Sequence, residues 1–300
     1  DVYQRQIPIR TTHAFGLIAA TVLTWAIGVV IARAVHQEIP PIGLSFWRWI
    51  MATLILLPFV WGSLRKDTQL VIKNLRYFWV QGIFMTGGGM FLFVAVNFTT
   101  AINVALVNAT QPILTVLIAW IIIRDGIKGI QILGIVAAFL GITVMVTKAD
   151  LSVLMNMDFR AGDFITVLAT TFYACYAINI RNMPKEIGTF PALFVILLLG
   201  SLTLFPFYIF EAVFIRPTLF SGKLVIVVVV LALLVSILSI AMWNTGNAVV
   251  GHNRAAIFVN LMPVYSAILA IYFLDERLYL FHVVGALFVC AGIFMVIRRD

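Results

Sequence analysis

Residues 112–150 read PILTVLIAWIIIRDGIKGIQILGIVAAFLGITVMVTKAD, and residues 263–300 read PVYSAILAIYFLDERLYLFHVVGALFVCAGIFMVIRRD. The two stretches align without a gap. Pro112, Asp125, Gly134 and Gly141 are matched by Pro263, Glu276, Gly285 and Gly292, each 151 positions later. A unit that occurs twice inside an apolar chain is how many membrane carriers are built.

Composition sets the solvent. The chain is 63% hydrophobic and 11% charged, with mean hydropathy +1.09. A 300-residue protein in water has no means of hiding that much apolar surface, so the sequence predicts an all-α protein in lipid. The formal charge of +8 then reads as Lys and Arg in cytoplasmic loops rather than as a nucleic-acid footprint. Cys175 and Cys290 sit in apolar runs with no nearby partner and read as small core residues. The polar first residues predict no cleavable leader.

Ten segments are long enough to cross the hydrocarbon layer, which takes about 17–25 residues. They lie near 12–34, 42–62, 77–96, 101–123, 127–147, 161–181, 190–214, 223–246, 254–274 and 279–297. With the N-terminus in the cytoplasm, thirteen Lys and Arg fall on that side and six on the other, with Arg48 inside a span. That bias predicts both termini inside. Three regions follow: a five-helix repeat over 1–147, a connecting loop over 148–160, and a second five-helix repeat over 161–300. Five spans per half is odd, so the second half enters in the opposite sense and the repeat is inverted. Inverted repeats place a substrate site near the midplane and open it alternately to each side. The first spans of the two halves also align, at an offset of 148, with Trp25 on Tyr173 and Arg33 on Arg181.

This arrangement resembles the drug/metabolite transporter superfamily, in particular its ten-helix branch of two EamA-type domains. The resemblance spans the chain. It rests on the repeated Pro–acid–Gly–Gly skeleton, on Phe46-Trp47-Arg48-Trp49 in the second span, and on the short connections Asn97–Ala101 and Ala248–Asn253. Within the branch the chain looks most like bacterial inner-membrane exporters of aromatic and other neutral amino acids. The resemblance implies a multi-pass exporter of small molecules working by alternating access. The second half departs from the first at one point, for the seventh span has no arginine equivalent to Arg48.

The candidate site residues follow from chemistry in lipid. Pro112 and Pro263 lie inside predicted spans and would free the carbonyls of Asn108 and Val259, as kinks that shape a cavity or hinge a gate, or as plain bends. Gly87, Gly88 and Gly89 weaken a helix by roughly 1 kcal/mol each relative to Ala. They read either as a local unwinding that offers backbone N–H groups to a carboxylate or as tight helix packing. Trp25, Tyr173 and Tyr176 are candidate cavity aromatics. Asn108, Asn244 and Asn260 are amides well inside spans, suited to a zwitterion or to interhelical bonding. Arg48 either snorkels to a surface or faces the bundle as a fixed charge that attracts a carboxylate or holds a gate. Asp125 and Glu276 read as gating ion pairs or as acids at the start of the following helix. Gly134, Gly141, Gly285 and Gly292 read as packing glycines.

Other classes fit poorly. No phosphate-binding loop appears, and no cluster of Asp, His or Cys suggests an enzyme, a cofactor or a metal. His13, His36, His252 and His282 read as loop or interface residues. Asp163 and Glu211 come closest to lying inside a span, each near an end, which argues against proton-for-cation drug exchange. The expected partners are a small molecule and the bilayer. Export of another metabolite or drug is the alternative.

Overall fold

A computed structural model describes residues 11–123, 129–147, 150, 161–184, 186–250 and 258–297. Among these residues every regular element is helical. The helices are α1 (Thr11–Ala34), α2 (Pro41–Lys73), α3 (Leu75–Ala95), α4 (Ala101–Asn108), α5 (Gln111–Ile123) and α6 (Gly129–Val146) in the first half. The second half holds α7 (Ala161–Asn179), α8 (Thr189–Phe210), α9 (Gly222–Val230), α10 (Ser239–Val250), α11 (Met262–Leu274) and α12 (Leu280–Ile297). Six stretches are long and apolar enough to cross a bilayer, and shorter apolar helices accompany them. Phe59, Tyr272, Leu280 and Phe214 point outward, as side chains do when the surrounding solvent is lipid.

Local sequence accounts for several helix starts. Pro41 starts α2, where its missing N–H costs nothing. Thr100 caps α4 by accepting from the Asn103 N–H, and Ser221 caps α9 by accepting from the Leu224 N–H. α2 runs eleven residues past its expected end at 62, to Lys73. Leu64, Leu70 and Val71 on that extension pack on the core, which keeps a largely polar stretch helical. The expected fourth span is broken: α4 stops at Asn108 and α5 starts at Gln111. The expected eighth span is continuous, but its middle, Leu231–Leu238, widens into a π-helical stretch between α9 and α10. α8 likewise ends in a π-helical turn, Glu211–Ile215.

Small residues bring the helices together. A Cβ on Gly141 would lie 2.6 Å from the Gly285 carbonyl, and one on Gly292 would lie 2.5 Å from the Gly134 carbonyl. Both contacts join α6 to α12, and the repeat offset exchanges one for the other. The same closeness joins α3 to α8 at Gly82 and Gly200, where a Cβ would meet backbone at 2.7 Å. One core cluster, including Val22, Ile102, Leu231 and Met262, is shared by both halves. A second, around Phe78, Trp49 and Leu197, binds α2, α3 and α8.

Candidate functional site

Two regions of polar chemistry lie inside the bundle. The first is one end of it, where the last turns of α1, α3, α8 and α11 meet the first turns of α2, α4, α7 and α12. Glu276, just past α11, accepts from the N–H groups of Ala101 and Ile102 at 2.9 and 3.2 Å. It also faces Arg33 Nε at 3.8 Å. Glu211, at the end of α8, accepts from Ile42 and Gly43 N–H at 3.1 and 2.6 Å. Each carboxylate thus sits on the positive end of a helix far away in sequence. Asp163 accepts from Thr99 Oγ1 at 2.8 Å and from Asn103 Nδ2 at 3.3 Å. His282 takes the Tyr279 N–H on Nδ1, which leaves its Nε2 to donate to Asn103 Oδ1 at 3.0 Å.

These contacts correct two expectations. Glu276 does not serve the helix that follows it, because its backbone turn swings the carboxylate onto α4 instead, and its ion-pair partner is Arg33 rather than a neighbour in sequence. His282 is not a loop residue. It is 4% exposed and joins α12 to α4. Asp125 lies outside the described residues.

The second region lies deeper, around α2, α3 and α7. Arg48 is the eighth residue of α2 and only 3% exposed, so it does not snorkel. Its guanidinium lies 3.8 Å over the Trp49 ring and 4.5 Å from the Phe93 ring centre. α3 stays helical through Gly87, Gly88 and Gly89, as the packing alternative requires and the unwinding alternative does not. The glycines instead make room for side chains. A Cβ on Gly87 would strike the Phe172 ring at 2.8 Å, and one on Gly88 would press the Tyr173 ring at 3.2 Å. A Cβ on Gly89 would meet Arg48 Nη2 at 2.7 Å, Trp49 at 2.9 Å and Tyr173 Oη at 3.4 Å. Helical hydrogen bonds survive there because the gain from packing three rings and a guanidinium offsets the intrinsic weakness of glycine.

The other expected residues divide between neighbourhoods. Trp25 is half-buried and packs on Trp243 of α10, ring centres 5.4 Å apart. Tyr173 belongs to the Arg48 group, so the two equivalent aromatics do not share neighbours. Tyr176 offers its carbonyl to Gln81, whose side chain also reaches Tyr77 and Asn179. Asn108 is 7% exposed at the α4 break, accepting from Thr170 Oγ1 at 3.3 Å and reaching Met262 Sδ at 3.5 Å. The backbones of Asn244 and Asn260 lie in α10 and in the tight turn Val259–Leu261, and their side chains lie outside the described residues.

Pro112 and Pro263 are not mid-helix kinks. Pro112 is the second residue of α5 and Pro263 the second of α11. Each begins a helix after a break, where proline is well tolerated. The Val259 carbonyl is not freed, since it accepts from the Met262 N–H. The breaks at Ala109–Thr110 and at Val259–Leu261 occupy corresponding places in the two halves, and the Asn108–Met262 contact joins them. The sequence reading missed Gln81, Trp49 and Phe93 as interior groups. Gln81 carried a signal, being an amide in an apolar run, whereas the ring stacking on Arg48 carried none.

Comparison with known proteins fits this geometry. The sequence pattern of the EamA-like transporter family matches residues 13–147 and again 160–298. The chain is 26% identical to the uncharacterized transporter YyaM of Bacillus subtilis (strain 168) over 259 residues, 84% of this chain and 83% of that one. It is 24% identical to an uncharacterized transporter of Archaeoglobus fulgidus over 286 residues, 95% of this chain and 97% of that one. A crystal structure at 15% identity covers 95% of this chain and 96% of its own, with a TM-score of 0.61, which speaks to fold alone.

Proposed function

The chain belongs to the EamA-like transporter family, and from that premise we propose that it is a secondary carrier exporting amino acids, aromatic and other neutral ones, across the bacterial inner membrane. It moves a small molecule through the bilayer as a multi-pass protein. The finer reading is ten spans in two inverted five-helix repeats, both termini cytoplasmic, working by alternating access. One observation carries it: the break between α4 and α5 and the tight turn Val259–Leu261 that leads into α11 stand at corresponding places in the halves and meet at Asn108 and Met262. Paired discontinuous helices at a repeat interface are where carriers of this kind hold substrate. The reading is also supported by α1 ending where α7 begins, around Arg33, Val96, Thr99 and Asp163, as halves inserted in opposite senses would require.

The amino-acid reading draws on the interior groups. Trp25, Trp243 and Tyr173 offer ring surfaces, and Asn108 offers a neutral amide. Asp163 and Glu211 are engaged by neighbouring helices, which disfavours exchange of protons for cationic drugs. Counterflow in proteoliposomes tests the proposal. Vesicles preloaded with phenylalanine, tryptophan or threonine should take up the matching labelled compound with no ion gradient. Entry of a cationic dye without any amino acid would refute the substrate and favour a drug exporter. Entry of neither would refute the carrier.

A further inference from the structure

We propose that Arg48 is an anion anchor, and that the transported molecule carries a carboxylate taken by the side-on edge of its guanidinium. The proposal rests on the carrier reading and names the substrate chemistry of the same interior. Its first support is an imbalance of donors. Arg48 Nε and Nη2, Ser45 Oγ and Trp49 Nε1 are buried and lack a hydrogen-bond partner. These three residues stand at i, i+3 and i+4 on α2, so they share one helix face. Among the described residues the salt bridges are Arg33 with Glu276 and Lys223 with Glu38, and neither reaches Arg48.

The second support is geometric. Nε and Nη2 lie side by side on one edge of a guanidinium and point their N–H bonds in parallel. That spacing matches the two oxygens of a carboxylate, which the edge binds as a fork. The faces of the guanidinium are already taken, by Trp49 at 3.8 Å and Phe93 at 4.5 Å. A ligand is therefore left the edge. A Cβ on Gly89 would stand 2.7 Å from Nη2, so the missing side chain is what lets the guanidinium lie against α3 in its present orientation. Tyr173 Oη, 3.4 Å from where that Cβ would stand, already lies against the Arg48 guanidinium, so an anion at Arg48 would meet this hydroxyl as well.

The third support is energetic. A buried charge needs compensation. Ring faces supply some of it, but a cation–π contact leaves the N–H donors of the edge unused. The acids at the end of the bundle are committed elsewhere: Glu211 to the start of α2 and Glu276 to the start of α4. Arg48 has no counterpart in the second half, so the anchor is single and fixes the substrate in one orientation.

The experiment uses the full chain, purified and reconstituted, with matched acid and amide probes: phenylalanine with phenylalaninamide, and 3-phenylpropionate with 3-phenylpropionamide. Counterflow and ligand-induced rise in melting temperature are read in parallel. The wild type should favour each acid over its amide by at least about tenfold, the scale of a buried charged pair. Arg48→Gln should erase that preference chiefly through KM, and Arg48→Lys, which keeps charge but loses the fork, should restore part of it. Gly89→Ala should weaken acid binding by displacing the guanidinium and the Trp49 ring that its Cβ would strike. Equal response to acid and amide in the wild type overturns the proposal without any variant, and so does a preference that survives Arg48→Gln. The two readings separate cleanly. Amide transport without acid preference leaves the carrier standing and removes the anchor. Acid-selective melting shifts without counterflow leave the anchor and remove the carrier.

Discussion

The end of the bundle and its interior treat buried polar groups in opposite ways. At the end, Glu276 and Glu211 each sit on a helix start, α4 and α2, and Asp163 accepts from the side chains of Thr99 and Asn103. In the interior, Arg48 lies among rings with donors left over. The first arrangement fastens helices that are remote in sequence. The second leaves a charge that a fully satisfied core would not tolerate. The difference teaches where this fold is tied and where it is kept receptive.

Mutations can break that contrast, and the largest effect belongs to the interior. Arg48→Gln should cut transport at least about tenfold, with the protein still eluting as a folded species, because α2 keeps its core contacts through Phe46, Trp49 and Leu56. Unfolding instead of selective loss would make Arg48 a structural group and remove the contrast. Glu276→Ala comes next and should act on stability. It orphans two α4 N–H groups and the Arg33 partner, costing roughly 1–3 kcal/mol, read as a lower melting temperature in detergent. A variant as stable as the wild type would show that the end is not tied there.

Asn108→Leu sharpens the comparison at an intermediate scale. It keeps the branched shape, with somewhat more bulk, and removes a bond from Thr170, so stability should fall by about 1 kcal/mol. Transport should fall several-fold if the helix break lies on the path, and equal losses in both would make Asn108 a packing amide. Lys223→Ala is the smallest. Its pairing with Glu38 is solvent-facing, with side chains 52% and 58% exposed, and exposed pairs contribute about 0–1 kcal/mol. Melting temperature and counterflow should both stay near wild type. A marked change would extend the tied region out to the α1–α2 connection.

Much of the helical layout was legible from composition and spacing. α1, α3, α7 and α12 begin and end within a few residues of the expected spans. The packing role of Gly134, Gly141, Gly285 and Gly292 was legible from their seven-residue spacing, which puts each pair on one face. The break between α4 and α5 was not, because residues 101–123 are apolar enough on average to fill one span and hydropathy does not register a two-residue interruption, although Asn108, Thr110, Gln111 and Pro112 cluster at it. Nor was the integrity of α3 at Gly87–Gly89. Intrinsic propensity argued for weakness, and the neighbours that offset it, Phe172, Tyr173 and Arg48, come from other helices.

The sequence by itself determined that this is a lipid-embedded helical protein made of a repeated unit, because hydropathy and the recurrence of Pro, acid and Gly are local quantities carried by the chain. Only the tertiary structure decided what each polar group does. Glu211 meets Gly43 and Glu276 meets Ala101 across 168 and 175 residues, and Arg48 turns inward to rings rather than out to a surface. In a medium without water a polar side chain must take whatever partner the packing brings, so its role is settled by which helices touch and not by its neighbours in the chain.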